Sequence, residues 1–174
     1  MVAVIRERRR EDLEPLCAVL AEIAWPPGAT SDDDRLEWLA RLPAEQSWVF
    51  DAAPVSVAPT RNVCAHLQIV PAAPSETAWV AATGPADDEV LVLTGLVVRP
   101  GAGEDGIRRF LLREAIRHCR DRGRTPALDL ADCPGLSREL AARYGFTPLD
   151  PADPGRGPML HRPVSQVGEE GPGD

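Results

Sequence analysis

The chain of 174 residues contains no lysine, so all 19 of its basic residues are arginines. That absence removes Schiff-base catalysis and the phosphate-binding lysine of a Walker loop, because both need an ε-amine. Cysteine is scarce, and Cys17, Cys64, Cys119 and Cys133 show no C-x-x-C spacing. Long hydrophobic runs are missing too. The opening "MVAVIRERRR" has no apolar stretch suited to a signal sequence, and no segment approaches the ~20 apolar residues of a membrane span. A reduced, cytoplasmic setting without a membrane partner is therefore expected. Positive charge is also in deficit. A formal net charge of −8 argues against general nucleic-acid binding, whose affinity comes largely from neutralising phosphates. The local run "RERRRED" reads as a solvated entry from strand to helix. The three histidines have no metal-ligand spacing, and Asp129 with Asp132 reads as a strand end, so no metal is expected.

What is present suits one ordinary soluble domain, with 44% hydrophobic residues, 18 prolines and 14 glycines. Residues 1–164 are expected to form that domain. Residues 165–174, within "VSQVGEEGPGD", have the composition of a disordered tail.

Periodicity supplies the order of elements. "VAVIRER" predicts a strand, and Leu13, Leu16, Cys17, Leu20, Ile23 and Ala24 predict a helix. Ser31 is a candidate N-cap for a short helix reaching about Leu42, with Asp32 to Asp34 complementing its dipole. "SWVFDA" and "NVCAHLQIV" predict an antiparallel hairpin. Ser75 could cap a short helix through Trp79, and "EVLVLTGLVV" is the longest buried-strand candidate. A third helix is expected to open around Asp105 to Ile107, carrying Ile107, Phe110, Leu111, Ala115 and Ile116 or Cys119 inward. "PALDLAD", "SRELAARYGF" and "PMLHRPV" predict strand, helix and strand. This order implies an α/β domain with a mixed sheet and helices on its faces.

The stretch "VVRPGAGEDGIRRFLLREA" joins a strand to a helix through a glycine-rich turn, an arrangement whose free N–H groups can receive an anion. Together with "VIRERRREDLEPLCAVL" and "ALDLADCPGLSRELAARYGF", it makes residues 4 to 163 resemble the GNAT superfamily of acyl-CoA-dependent N-acetyltransferases. The resemblance implies a mostly antiparallel mixed central sheet flanked by helices. It also implies that the strands around Val90 to Val98 and Ala127 to Ala131 splay to form a cleft. Acetyl-CoA would be the co-substrate, and the acceptor an amine on a small molecule or protein, a cationic amine being compatible with the acidic composition; a homodimer is a further partner expectation.

Residue by residue, Val98, Pro100, Gly106, Ile107, Leu111 and Leu112 match the family's V-x-P, [Q/R]-G-x-G-[hydrophobic]-[G/A] and Leu-Leu pattern. Gly103 stands at the Gln/Arg position, Glu104 at the first glycine and Arg108 at the second small residue. The implied CoA contacts are therefore Leu96, Val97, Val98, Gly103, Glu104, Asp105, Gly106, Ile107 and Arg108. Two departures bear on binding. A carboxylate at Glu104 would repel a phosphate if it faced inward, and Asp105 could cap the helix and take the N–H groups that a phosphate needs. Arg99, Arg108 and Arg109 could offset that repulsion. Weak CoA binding is the expectation.

The implied chemistry needs a base for the amine, N–H groups of Val97 or Val98 for the developing oxyanion, and an acid for the departing thiolate. The family's tyrosine position falls on Ala141 and its strand glutamate on Val92. The candidates left are Tyr144 as acid, Glu89 as base and His66 as proton relay, each with a packing role as the alternative. Cys133 as a nucleophile lacks a visible base. Trp25, Trp38 and Trp79 could line an acceptor pocket or belong to the core. The rival function is a GNAT-fold module that binds a ligand or partner without acyl transfer.

Overall fold

The computed structural model describes residues 4–41, 43–52, 62–72, 90–101, 103–149 and 157–161. Three expectations lie outside them: the helix from Ser75 through Trp79, the candidate base Glu89, and the tail 165–174. Seven strands form one sheet: β1 (Val4–Glu7), β2 (Gln46–Asp51), β3 (Val63–Pro71), β4 (Val90–Val98), β5 (Thr125–Asp129), β6 (Phe146–Pro148) and β7 (Pro158–His161). Their order is β1-β2-β3-β4-β5-β7-β6, and all neighbours are antiparallel except β4 and β5. The described helices are α1 (Leu13–Glu22), α2 (Asp32–Ala40), α3 (Glu104–Asp121) and α4 (Arg138–Arg143).

Strand alternation sorts the side chains onto two layers. On one face, Leu67, Ile69, Leu91, Leu93, Leu96 and Leu128 pack against Leu111, Leu112, Ala115 and Cys119 of α3 and Ala141 of α4. On the other, Val49 and Val97 meet Leu16 and Leu20 of α1 and Trp38 and Leu39 of α2. β4 is buried along its whole length because both of its faces are covered.

Local signals account for most boundaries. Ser31 accepts the Asp34 N–H at 3.2 Å, and the Asp34 carboxylate takes the Ser31 N–H at 2.9 Å, a reciprocal cap that starts α2. Ser137 caps α4 through the Leu140 N–H. Helix α1 is anchored at its entry, where Arg6 donates to both oxygens of the fully buried Asp12 at 2.7 Å and to Asp51 at 3.1 Å.

Three expectations need correction. α3 opens at Glu104, with Gly103 as N-cap at φ +94°, so Asp105 lies inside the first turn and its carboxylate pairs with Arg108 at 3.2 Å instead of capping. Phe110 does not face inward but is 56% exposed. The buried stripe of α3 is Arg108, Leu111, Leu112, Ala115, Ile116 and Cys119, and that phase turns position 110 outward. Finally, the strand expected to reach Ala131 ends at Asp129, where the Asp129 carboxylate accepts the Ala131 N–H at 2.8 Å and turns the chain into a short 3₁₀ turn.

Candidate active site

The middle of the sheet opens because one strand outlasts its pairing. β4 stays paired to β3 as far as Val98, but it pairs with β5 only from Val90 to Leu93. Beyond that point the chain after β5 turns away, leaving one edge of β4 without a strand partner. A bulge falls at the same place: between Thr94 and Val97, β4 carries one residue more than β3 does opposite, and Gly95 takes φ +66°.

Cys133 marks the open edge. Its thiol lies 3.9 Å from the Leu93 carbonyl, and the Leu96 backbone N–H is directed at its sulfur. Burial pushes the Cys133 pKa up to about 12, so this thiol is a packing group and not a poised nucleophile. The adjoining cavity, of about 900 Å³, is walled by Leu130, Pro134, Gly135 and Leu136 on one side and by Trp25 and Pro27 on the other. Trp25 meets Trp38 edge-on with ring centroids 6.2 Å apart, while Arg41 covers Trp38 and pairs with Asp132 at 2.9 Å. Helix α2 is thereby tied to the turn after β5. Burial raises the carboxyl pKa of the neighbouring Asp129.

At the end of β4 the glycine-rich turn delivers the start of α3. Gly103 offers no capping side chain, so the first-turn N–H groups of the helix receive no side-chain cap. Gly101, Gly103 and Gly106 have nothing within 4 Å of where a Cβ would stand, which leaves the turn open on its outer side. Glu104 reaches back over this turn. Its carboxylate accepts the Gly101 N–H at 2.6 Å and an Arg108 Nη2 proton at 2.6 Å, and these two contacts lower its pKa in that order.

Arg108, expected from the sequence as a CoA contact, is held in a way that the sequence does not show. It is 8% exposed, and its Nη2 would stand 2.8 Å from a Cβ at Gly135, so the guanidinium lies against the backbone of the turn after β5. Its Nε is buried with no partner. A buried guanidinium with a spare donor beside an uncapped helix start fits an anionic group such as a pyrophosphate. Its place in the glycine-rich stretch and at the start of the apolar stripe of α3 is legible in the sequence, whereas its burial against Gly135 is not.

The remaining candidates are dispersed. Leu96, Val97 and Val98 are buried on β4. Gly106 and Ile107 lie in the first turn of α3, where the Ile107 N–H already bonds to Gly103 O at 3.1 Å. His66 is fully buried on the α1–α2 face, 3.0 Å from Arg8 Nη1 and 3.0 Å from the Gly95 carbonyl. Tyr144 lies in a different concavity, a groove along the outer side of α3 with Phe110, Arg113 and Arg117. The structure therefore brings together Leu96–Val98, the Gly101–Arg108 turn and Gly135, with Tyr144 on another wall. Among the described residues no cluster of His, Cys, Asp or Glu could hold a metal, and no helix is long and apolar enough to cross a membrane.

No protein-family model matches the chain, and no curated protein matches it in sequence. Solved structures match it in shape. The ribosomal-protein-S18-alanine N-acetyltransferase from Escherichia coli superposes with a TM-score of 0.60 at 17% identity, over 97% of this chain and 98% of that one. A GNAT family acetyltransferase from Brucella melitensis in complex with acetyl-CoA gives 0.56 at 20% identity, over 93% and 90%. An N-acetyltransferase from Staphylococcus aureus Mu50 gives 0.57 at 19% identity, over 85% of each. The chain has the fold of the GNAT acetyltransferases.

Proposed function

We propose that this chain is an acyl-CoA-dependent N-acetyltransferase that moves an acetyl group from acetyl-CoA to an amine on a small molecule or a protein. The observation that carries the reading is the convergence at one place of an open β4 edge, an uncapped glycine-rich helix start and the buried Arg108. Fold likeness alone does not carry function.

In this reading the Gly103 to Arg108 turn holds the pyrophosphate, with Arg108 exchanging Glu104 for the phosphate oxygens. Acetyl-CoA supplies an activated thioester. The β4 edge at Leu96 to Val98 orients it, and of the two expected donors it is the N–H of Val98, on the edge turned away from β3, that faces the carbonyl oxygen as charge develops there. The acceptor amine enters from the side walled by Trp25 and Trp38 and loses its proton to water or to a displaced side chain, with Glu89 the nearest candidate in sequence. Its nitrogen then bonds to the acetyl carbon, the C–S bond breaks, and the thiolate leaves with a proton. Glu104 must vacate the cradle first, so binding is weaker than the bare geometry would allow.

A folded module that binds without transferring is the competing reading. Thermal melting with acetyl-CoA, followed by thiol release in the presence of an amine panel, separates the two. Ligand at ~100 times its Kd stabilises a fold by about 2.7 kcal/mol, a readily visible shift. A shift with thiol release supports transfer. No shift at millimolar acetyl-CoA would sink the proposal.

A further inference from the structure

The bulge in β4 is enclosed from two sides. A Cβ at Gly95 would stand 3.3 Å from His66 Nδ1, 3.4 Å from His66 Cε1 and 3.5 Å from the Trp38 ring, so β3 and α2 both close on it. The Gly95 carbonyl lies 3.0 Å from His66 Nδ1, while His66 Nε2 lies 3.0 Å from Arg8 Nη1. Arg8 Nη1 also reaches Leu39 O at 3.2 Å and Gln68 Oε1 at 3.3 Å, which links the end of α2 to β3.

Donor and acceptor chemistry fixes the tautomer. A guanidinium only donates, so Nε2 must accept from Arg8 and Nδ1 must carry the proton given to Gly95 O. Burial, with the Arg8 charge beside it, pushes the imidazole pKa down to about 3, so the ring stays neutral. A fully buried ring with both nitrogens committed has no proton free to exchange with a substrate.

We propose that His66, its tautomer set by Arg8, locks the Gly95 bulge as a positioning residue, fixing the direction in which Leu96 and Val98 present their N–H groups at the β4–β5 opening while Val97 pairs with His66 in the β3 ladder. Glycine at φ +66° has many alternatives open to it, and a bulge flattened by one residue would reverse the facing of everything beyond it. Leu96 would then no longer aim its N–H at the open edge. The link to CoA rests on the acyl-transfer reading, whereas the lock itself does not.

Two substitutions separate the halves of the lock. His66→Asn places an amide NH₂ near Nδ1 and keeps the donor for Gly95. His66→Gln places a carbonyl near Nε2, which serves Arg8 but leaves Gly95 O without its donor. The full chain is followed by nitrogen NMR of the imidazole, amide hydrogen exchange and calorimetric titration with acetyl-CoA. The parent should show a neutral Nδ1–H tautomer at about pH 6. His66→Gln should speed exchange at Leu96 and Val97 by about tenfold or more and weaken acetyl-CoA binding by about tenfold, with His66→Asn within about threefold of the parent. Exchange at Leu112 in α3 should not move in either variant.

An Nε2–H tautomer or an imidazolium in the parent overturns the lock without recourse to any variant. So does an equal loss in both variants, or protection at Leu96 and Val97 that survives His66→Gln. If the parent binds no acetyl-CoA at millimolar concentration, the acyl-transfer reading fails, while the tautomer and exchange results still decide the lock.

Discussion

The carboxylate of Glu104 accepts the backbone N–H of Gly101 at 2.6 Å, closing over the turn in which an anionic ligand would be held. The acidic side chain is not simply a charge opposing a phosphate. It serves as the turn's own anion, and Arg108 holds it there.

Replacing Glu104 with Gln should therefore strengthen acetyl-CoA binding, by roughly five- to thirtyfold, because a phosphate no longer competes with a carboxylate for Arg108 and the Gly101 N–H. The same change should lower the melting temperature slightly, since a negative charge at the start of α3 favours the helix. Calorimetry and thermal melting on one pair of proteins check both signs. Adding Arg at position 103 is a poor companion change, because Gly103 sits at φ +94°, where an L side chain is strained. Unchanged affinity in Glu104→Gln would mean that the cradle is not where CoA binds.

Gly135→Ala should destabilise the fold by about 1–2 kcal/mol, from strain at positive φ and from the displaced guanidinium of Arg108. The backbone has φ +79°, and the new Cβ would stand 2.8 Å from Arg108 Nη2. Urea denaturation measures the loss. A variant as stable as the parent would show that Arg108 moves aside at no cost and does not rest on this turn.

Asp12→Ala should cost about 2–3 kcal/mol at neutral pH, since it takes from Arg6 the nearer of its two carboxylate partners, leaving Asp51, and removes the acceptor for the Arg9 N–H, which lies 2.7 Å away. Burial works to raise the Asp12 pKa, but the Arg6 and Arg9 hydrogen bonds outweigh it and leave the carboxyl below its ordinary value. A depressed folded pKa means that its stabilisation is complete above the unfolded value of about 4 and lost as pH falls through the folded one. The stability gap between parent and variant should accordingly be constant from neutral pH to about pH 5 and narrow below about pH 4. A gap independent of pH would locate the loss in packing alone.

Tyr144→Phe should leave turnover within tenfold of the parent, because the single tyrosine of the chain lies in the groove outside α3 and not at the opening between β4 and β5. A general acid is worth ~100-fold or more, so the assay discriminates cleanly. Glu89→Gln, measured alongside, reports whether a base displaced along the chain from Val92 has taken over. A hundredfold loss in a folded Tyr144→Phe protein would move the reaction to the α3 groove.

The sequence by itself determined the continuous apolar run that makes β4 a strand buried on both faces, Ser31 as the N-cap of α2, and the order of elements that carries the GNAT resemblance. Each of these is written in residues close together in the chain, where period and capping chemistry act locally. Phe110 shows the limit: its apolar character suggests burial, yet the phase of α3 is set by Leu111, Leu112 and Ala115 meeting the sheet, and Arg108 takes an inward place instead. Only the tertiary structure decided where the Glu104 carboxylate goes, because that depends on the left-handed Gly103 and on Arg108 being held against Gly135, 27 residues further along the chain. The same holds for His66. Nothing near it in sequence shows that β3 and β4 bring its Nδ1 to the Gly95 carbonyl, since that contact exists only once long-range pairing has set the register and the bulge.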